Sequence, residues 1–477
     1  MNEREERSGV DLADAESLLG MLQRGRGKGY LVALETPRQE VWPLLVECIT
    51  NDPRSDEQWS PDEEYYASLI LKTGMDLGPL LSFVRRNDTS DEQEWNCYYT
   101  LKTLRCLAHR GSRQALDFLR EYIRFGYDFS QMAWIVHDLA ELRALEDIHE
   151  VLYRRISSDP DTLAAFREEV EEVWRIMVFP PQCEPWKSLC AGHAGFAGLF
   201  ARVGLAYNHP PAVRRATDAD VADLSVAQLL SSVEKANLYP SRRAIMEKVS
   251  AEDEDRLLES LSSDNEYRVM LAFCGLGELG TVRAFDAVKS YIEASENAPW
   301  RARGRAFDAI KQMPGSLTLE TARQWFSRDE WPLYTAASGI LQHHATLEDV
   351  PRLRQALRTP EILRDEDSRL PCVLRALARF EGFGRIPELE QVFCQACNSF
   401  RRGDAAEAMA ATSPDFFTAE YAYECLWDCD WSAFKIGCAM VDLSTPGAVE
   451  RLGEIIADPY ECEGRREVAK ERLETAG

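Results

Sequence analysis

Apolar residues recur along this chain with the period of a helix. A small or apolar residue is followed by an apolar one at +4 and another at +7: Thr100, Leu104, Leu107; Ile135, Leu139, Leu142; Ala272, Leu276, Leu279; Ala306, Ile310, Met313; Val373, Leu377, Phe380; Ile436, Met440, Leu443. Weaker copies begin at Ala67, Ala336 and Ala405. Positions spaced this way share one face of a helix and predict that face to be buried. About one helix later comes a second pattern, apolar at 0, +3, +6 and +7, as in Phe285, Val288, Tyr291, Ile292 and Ile386, Leu389, Val392, Phe393. Turn residues stand between the two: "HRGS" at 109–112, "LGELG" at 276–280, "EGFGR" at 381–385 and "LSTPG" at 443–447. Strand-like alternation is scarce, so the pattern predicts an all-α protein.

Within each half of the chain the first-helix pattern returns at intervals of 30 to 37 residues. A helix pair at that period predicts an α-solenoid of stacked antiparallel pairs. The segments "TLKTLRCLAHRGSRQALDFLREYI" and "YRVMLAFCGLGELGTVRAFDAVKSYI" resemble HEAT repeats in their small-residue first helix, glycine turn and apolar second helix. The resemblance covers about two-thirds of the chain and implies architecture rather than activity, because such repeats serve scaffolds, adaptors and some enzymes alike. It implies a concave surface lined by second helices. The period breaks near the middle, where Pro180, Pro181, Pro185, Pro210 and Pro211 fall. The expected organisation is therefore a capping helix and repeats over 1–177, an atypical connecting segment over 178–220, and further repeats over 221–477.

Charge narrows the partner. The 477 residues carry a formal net charge of −25. A surface so acidic repels polyphosphates and anionic lipid, which argues against nucleic acid as the main partner and favours a basic or mixed-charge protein. No apolar run has the length of a membrane span, and the start "MNEREERSGVDLADAE" lacks the apolar core of a secretory signal, so a cytoplasmic location is expected. Thirteen scattered cysteines then read as reduced and mostly buried.

Candidate chemistry is sparse. In "LLGMLQRGRGKGYLVALETP" (18–37) three cations, Arg24, Arg26 and Lys28, alternate with Gly25, Gly27 and Gly29. A phosphate-binding P-loop needs GxxxxGK[ST] and a dinucleotide fold GxGxxG; neither is present. The stretch reads first as a joint between two helices, with Gly25 or Gly27 ending the first in a left-handed conformation, and second as a loop that grips a carboxylate or phosphate. The second reading makes Arg24, Arg26, Lys28 and Tyr30 candidate partner-binding residues. Trp95, Tyr267, Trp300, Trp331 and Trp431 each precede a first helix, mostly after acidic residues. They read as staples beside N-caps, or as aromatic anchors, and Trp95, Trp300, Trp331 and Trp431 join the candidate partner-binding set. The pairs Cys394/Cys397 and Cys425/Cys429, and the set Cys183, Cys190, His193, are weak zinc patterns, and the expectation is no metal and no cofactor. HEAT-like deoxyhypusine hydroxylases carry several His-Glu dipeptides, whereas this chain has the single pair His149-Glu150. His343 and His344 are expected in a turn. No catalytic residue is assigned. The expected function is a non-catalytic binding scaffold; the alternative is an enzyme or small-ligand binder with its pocket at 178–220.

Overall fold

A computed structural model describes residues 12–52, 63–88, 95–127, 129–142, 151, 153–154, 223–235, 242–294, 299–328, 330–359 and 369–475. Most of these residues are helical, and there is no strand among them. The segment 178–220, with Trp186 and the Cys183, Cys190, His193 set, lies outside the described residues, as does His149-Glu150. The chain divides into two compact units: one comprises residues 1–208, 393–406 and 415–477, the other 209–392 and 407–414.

In the second unit the helices Glu266–Leu279, Trp300–Gln312, Trp331–His344 and Arg369–Ala378 pack side by side in chain order. The helices between them, Val282–Glu293, Gly315–Phe326 and Val350–Leu357, pack beside them. The periodic residues explain this. Ala272, Leu276, Ala306, Ile310, Val373 and Leu377 are all buried, and small residues let the helices approach. Gly277 lies so close to the next first helix that a Cβ there would sit 2.9 Å from Ala309 Cα. Helix starts are capped as the sequence suggests: Asn265 accepts from the backbone N–H groups of Tyr267 and Arg268, and Thr281 from that of Ala284. The turn glycine Gly280 adopts a left-handed conformation, φ 54°, which closes the first helix.

In the first unit, helices from the two ends of the sequence assemble. Trp95–His109 packs against Arg38–Thr50, Glu63–Thr73, Arg113–Phe125 and Phe129–Glu141, with Leu104, Leu107 and Ile135 fully buried. The later part holds Ala422–Cys425, Trp431–Met440, Ala448–Ala457 and Glu463–Glu474. Here the expected register is shifted. Ile436, Met440 and Leu443 are half-buried, while Ala433, Phe434, Gly437, Cys438 and Val441 form the buried face. Gly437 decides it: a Cβ there would lie 2.5 Å from Cys425 Cβ, so the closest helix contact falls on a residue that a hydrophobic pattern does not count. In the following helix the pattern apolar at 0, +3, +6 and +7 falls on Val449, Leu452, Ile455 and Ile456. Leu452 and Ile455 are buried as it predicts, but Val449 is 45% exposed and Ala448 is buried instead.

Candidate binding surfaces

The Arg-Gly stretch is a joint, and it also grips. The helix Leu18–Gln23 ends at Arg24, Gly25 turns the chain at φ 67°, and the next helix begins at Gly27. Gly27 and Gly29 thus lie inside a helix rather than breaking one; they are needed for closeness. A Cβ on Gly27 would sit 1.7 Å from the backbone oxygen of Glu424, and one on Gly29 2.8 Å from Met21 Cβ. Arg24 and Arg26 are 7% and 1% exposed, and what they meet is the chain itself. Arg24 donates to the carbonyl oxygens of Gln395, Ala13 and Gly20. Arg26 Nη2 donates to Glu424 Oε1 at 3.3 Å, and its guanidinium lies 5.7 Å from the centre of the Phe393 ring. The Gly25 carbonyl accepts from the Cys429 backbone N–H at 3.1 Å and from Arg402 Nη2 at 3.4 Å. Arg402 in turn donates to both Asp428 oxygens, at 2.8 and 2.7 Å, and the pair is wholly buried. From the other side Tyr65 and Tyr66 donate to the carbonyls of Arg26 and Leu22. Lys28 keeps an exposed side chain and faces Glu16 at 3.6 Å. Tyr30 is buried, its hydroxyl 2.7 Å from that of Ser68.

Two opposing effects act on these charges. Burial disfavours the guanidinium of Arg26, yet Glu424 and the neighbouring Cys394 outweigh it and hold Arg26 charged. Burial raises Glu424, against the pull of Arg26. Burial, with Asp428 nearby, pushes Asp430 up to about 6, although its carboxylate caps the helix Trp431–Met440 by accepting from Ala433 N–H at 2.9 Å.

The aromatic candidates separate. Trp331 is 47% exposed at the start of its helix, with the Arg303 guanidinium 4.9 Å from its ring centre. Beside it lies a groove of about 320 Å³ lined by Ile292, Glu293, Ala294, Glu330, Trp331, Pro332 and Leu333. Glu293 accepts from Trp325 Nε1 at 3.3 Å, and Glu330 from Arg328. Trp431 is 42% exposed and leans on Phe434. The side chains of Trp95 and Trp300 lie outside the described residues.

His343 and His344 are in the last turn of Trp331–His344, not in a turn between helices; Ala345 ends the helix at ψ 144°. Cys425 and Cys429 are buried and Cys394 and Cys397 half-buried. Among the described residues no group of three or more His, Cys, Asp or Glu is placed to hold a metal ion. No described helix is long and apolar enough to cross a membrane.

No protein-family model matches the chain, and no curated protein is similar to it. Among solved structures, an engineered protein from a structural genomics consortium matches with 13% identity over 94% of this chain and 98% of its own, at a TM-score of 0.25. A likeness that low carries no argument about fold or function.

Proposed function

We propose that the chain is a non-catalytic, cytoplasmic binding scaffold, a HEAT-like α-solenoid that captures a basic or mixed-charge protein segment. The side-by-side packing of successive first helices supports the repeat reading, because each pair covers its neighbour's apolar face. The observation that carries the binding reading is the groove at Trp331. A half-exposed indole stands there beside the carboxylates of Glu293 and Glu330. Such a groove offers an aromatic face to an aliphatic stem and carboxylates to a cationic head, the two halves of a lysine or arginine side chain. Lys28 and Trp431, exposed on the first unit, are secondary contact candidates.

The test is fluorescence anisotropy with a labelled peptide in which lysines and arginines flank leucine. Binding is expected to weaken as salt rises and to fall about tenfold with Trp331→Ala, the loss typical of an aromatic anchor. Equal binding by Trp331→Ala and the natural chain, or equal binding of an acidic peptide of the same length, overturns the reading.

A further inference from the structure

The grip on residues 24–27 belongs to a larger interface within the first unit, and its two faces are complementary in charge. On one face, the helices before residue 126 present Arg24, Arg26, Lys72 and Arg110. On the other, residues after 392 present carbonyls and the carboxylates of Glu424, Glu454 and Asp458. The cross-pairs are Arg26 to Glu424 at 3.3 Å, Lys72 to Glu454 at 3.0 Å and Arg110 to Asp458 at 2.9 Å. Between them Gly27 seats directly on the Glu424 backbone. The partners in these pairs stand 398, 382 and 348 residues apart in sequence, so no short connection dictates that one chain supply both faces. Each face is also braced on its own side. Arg26 and Leu22 are held by Tyr65 and Tyr66, Arg110 by Glu64, and Asp428 by Arg402. The early helices can therefore leave the later ones as a block, without breaking their internal contacts.

We propose that this interface also forms in trans, between the early helices of one copy and the later helices of a second copy, giving an exchanged dimer. The occupant is fixed by the chemistry on the page: a cationic face with glycine at the point of closest approach, which this chain carries and its own later helices demonstrably fit. Exchange of identical elements builds a dimer from contacts that already exist, so it needs no new surface. The intramolecular form has the advantage of high effective concentration, which keeps the exchanged form minor unless a second copy supplies an undamaged face that the chain itself lacks. The inference does not rest on the groove at Trp331.

Two full-length variants test it. Gly27→Ala spoils the early face, because its Cβ has no room against Glu424. Glu424→Ala spoils the later face, because it removes the carboxylate that Arg26 meets across the interface. In a mixture, the undamaged early face of one variant can meet the undamaged later face of the other. Each variant alone is expected to run as a monomer by light scattering. The mixture, incubated and then separated, is expected to yield a 1:1 dimer that neither gives alone. Persistent monomers in the mixture, with both variants helical by circular dichroism, overturn the proposal; so does a dimer formed by either variant alone. Should either fail to fold, Lys72→Glu and Glu454→Lys replace them. Their rim charges are half-exposed, and the same criterion decides.

Discussion

Both units pair arginine with buried carboxylate, but they place the arginine differently. In the second unit arginines on or just after the helices Val282–Glu293, Gly315–Phe326 and Val350–Leu357 each reach a carboxylate on an adjoining segment: Arg283 to Glu254, Arg323 to Asp349, and Arg354 and Arg358 to Glu388, at separations of 29, 26, 34 and 30 residues. The carboxylates are 13%, 0% and 7% exposed, while the arginines keep between 23% and 63% of their side-chain surface in water. In the first unit Arg402 and Asp428 are both fully buried, and Arg26 is nearly so. The difference is one of solvation. A half-wet arginine that loses its partner is rehydrated, whereas a buried one becomes an uncompensated charge. The second unit carries a tolerant ladder with the period of the repeat, and the first an intolerant lock.

That contrast can be broken experimentally. The largest effect is expected from Arg402→Met, which strands Asp428 and costs about 3–5 kcal/mol in urea unfolding. Adding Asp428→Leu should recover most of that loss. If the double variant is as unstable as the single one, stranded charge is not the cause.

Next comes Asp430, whose folded pKa of about 6 lies above its ordinary 3.8. The folded state binds this proton more tightly than the unfolded state, so the contribution to stability is fully present below about pH 4 and is lost as pH rises through 6. At pH 7 the deficit is about 3 kcal/mol. Asp430→Asn keeps the helix cap without the charge. The variant is expected to exceed the natural chain in stability at pH 7 and to lose most of that lead by about pH 4.5. A lead unchanged with pH would refute the assignment.

Glu388 runs the opposite way. Burial alone would raise it, but the bonds from Arg354 and Arg358 hold it down at about 2. Its contribution is present above pH 4.5 and lost as pH falls toward 2. Because the arginines are partly solvated, Glu388→Gln should cost only about 1–2 kcal/mol at pH 7, with the gap narrowing by pH 3. The smallest effect belongs to Arg283→Gln, an exposed cation at the end of the ladder, for which thermal unfolding should not move measurably. A clear drop there would mean that the ladder acts as a network.

How much of this was legible in the sequence follows the same division. Periodic apolar residues placed the helices of the second unit, and Gly111, Gly280, Gly382 and Gly447, all at positive φ, stand in the predicted turns. Register failed in the helix Trp431–Met440, where glycine rather than a large apolar residue sets the closest approach. The Arg-Gly stretch was recognisable as a joint but not as an interior element. Nothing local marks Glu424 as the counterion of Arg26, because pairing across 398 residues leaves no periodic trace. A weak signal did exist: two glycines at i and i+2 within a helix that could have done without them, a pattern that close approach explains better than flexibility. The groove at Trp331 was half-visible as an aromatic after acidic residues, and its other wall, Ile292 to Ala294, required the fold.

The same long separation sets a clock on synthesis. At 5–20 residues per second, about 20–80 s pass between the emergence of Arg26 and that of Glu424. For about the last three-quarters of that interval the early helices, which end at Phe125, are complete but Gly27 faces no backbone and Arg26 no carboxylate. A nascent chain therefore presents a basic, glycine-lined seam in an otherwise acidic protein. The seam is covered only once the later helices have left the ribosome, so crowded polysomes are the setting in which a neighbouring chain could supply the missing half first.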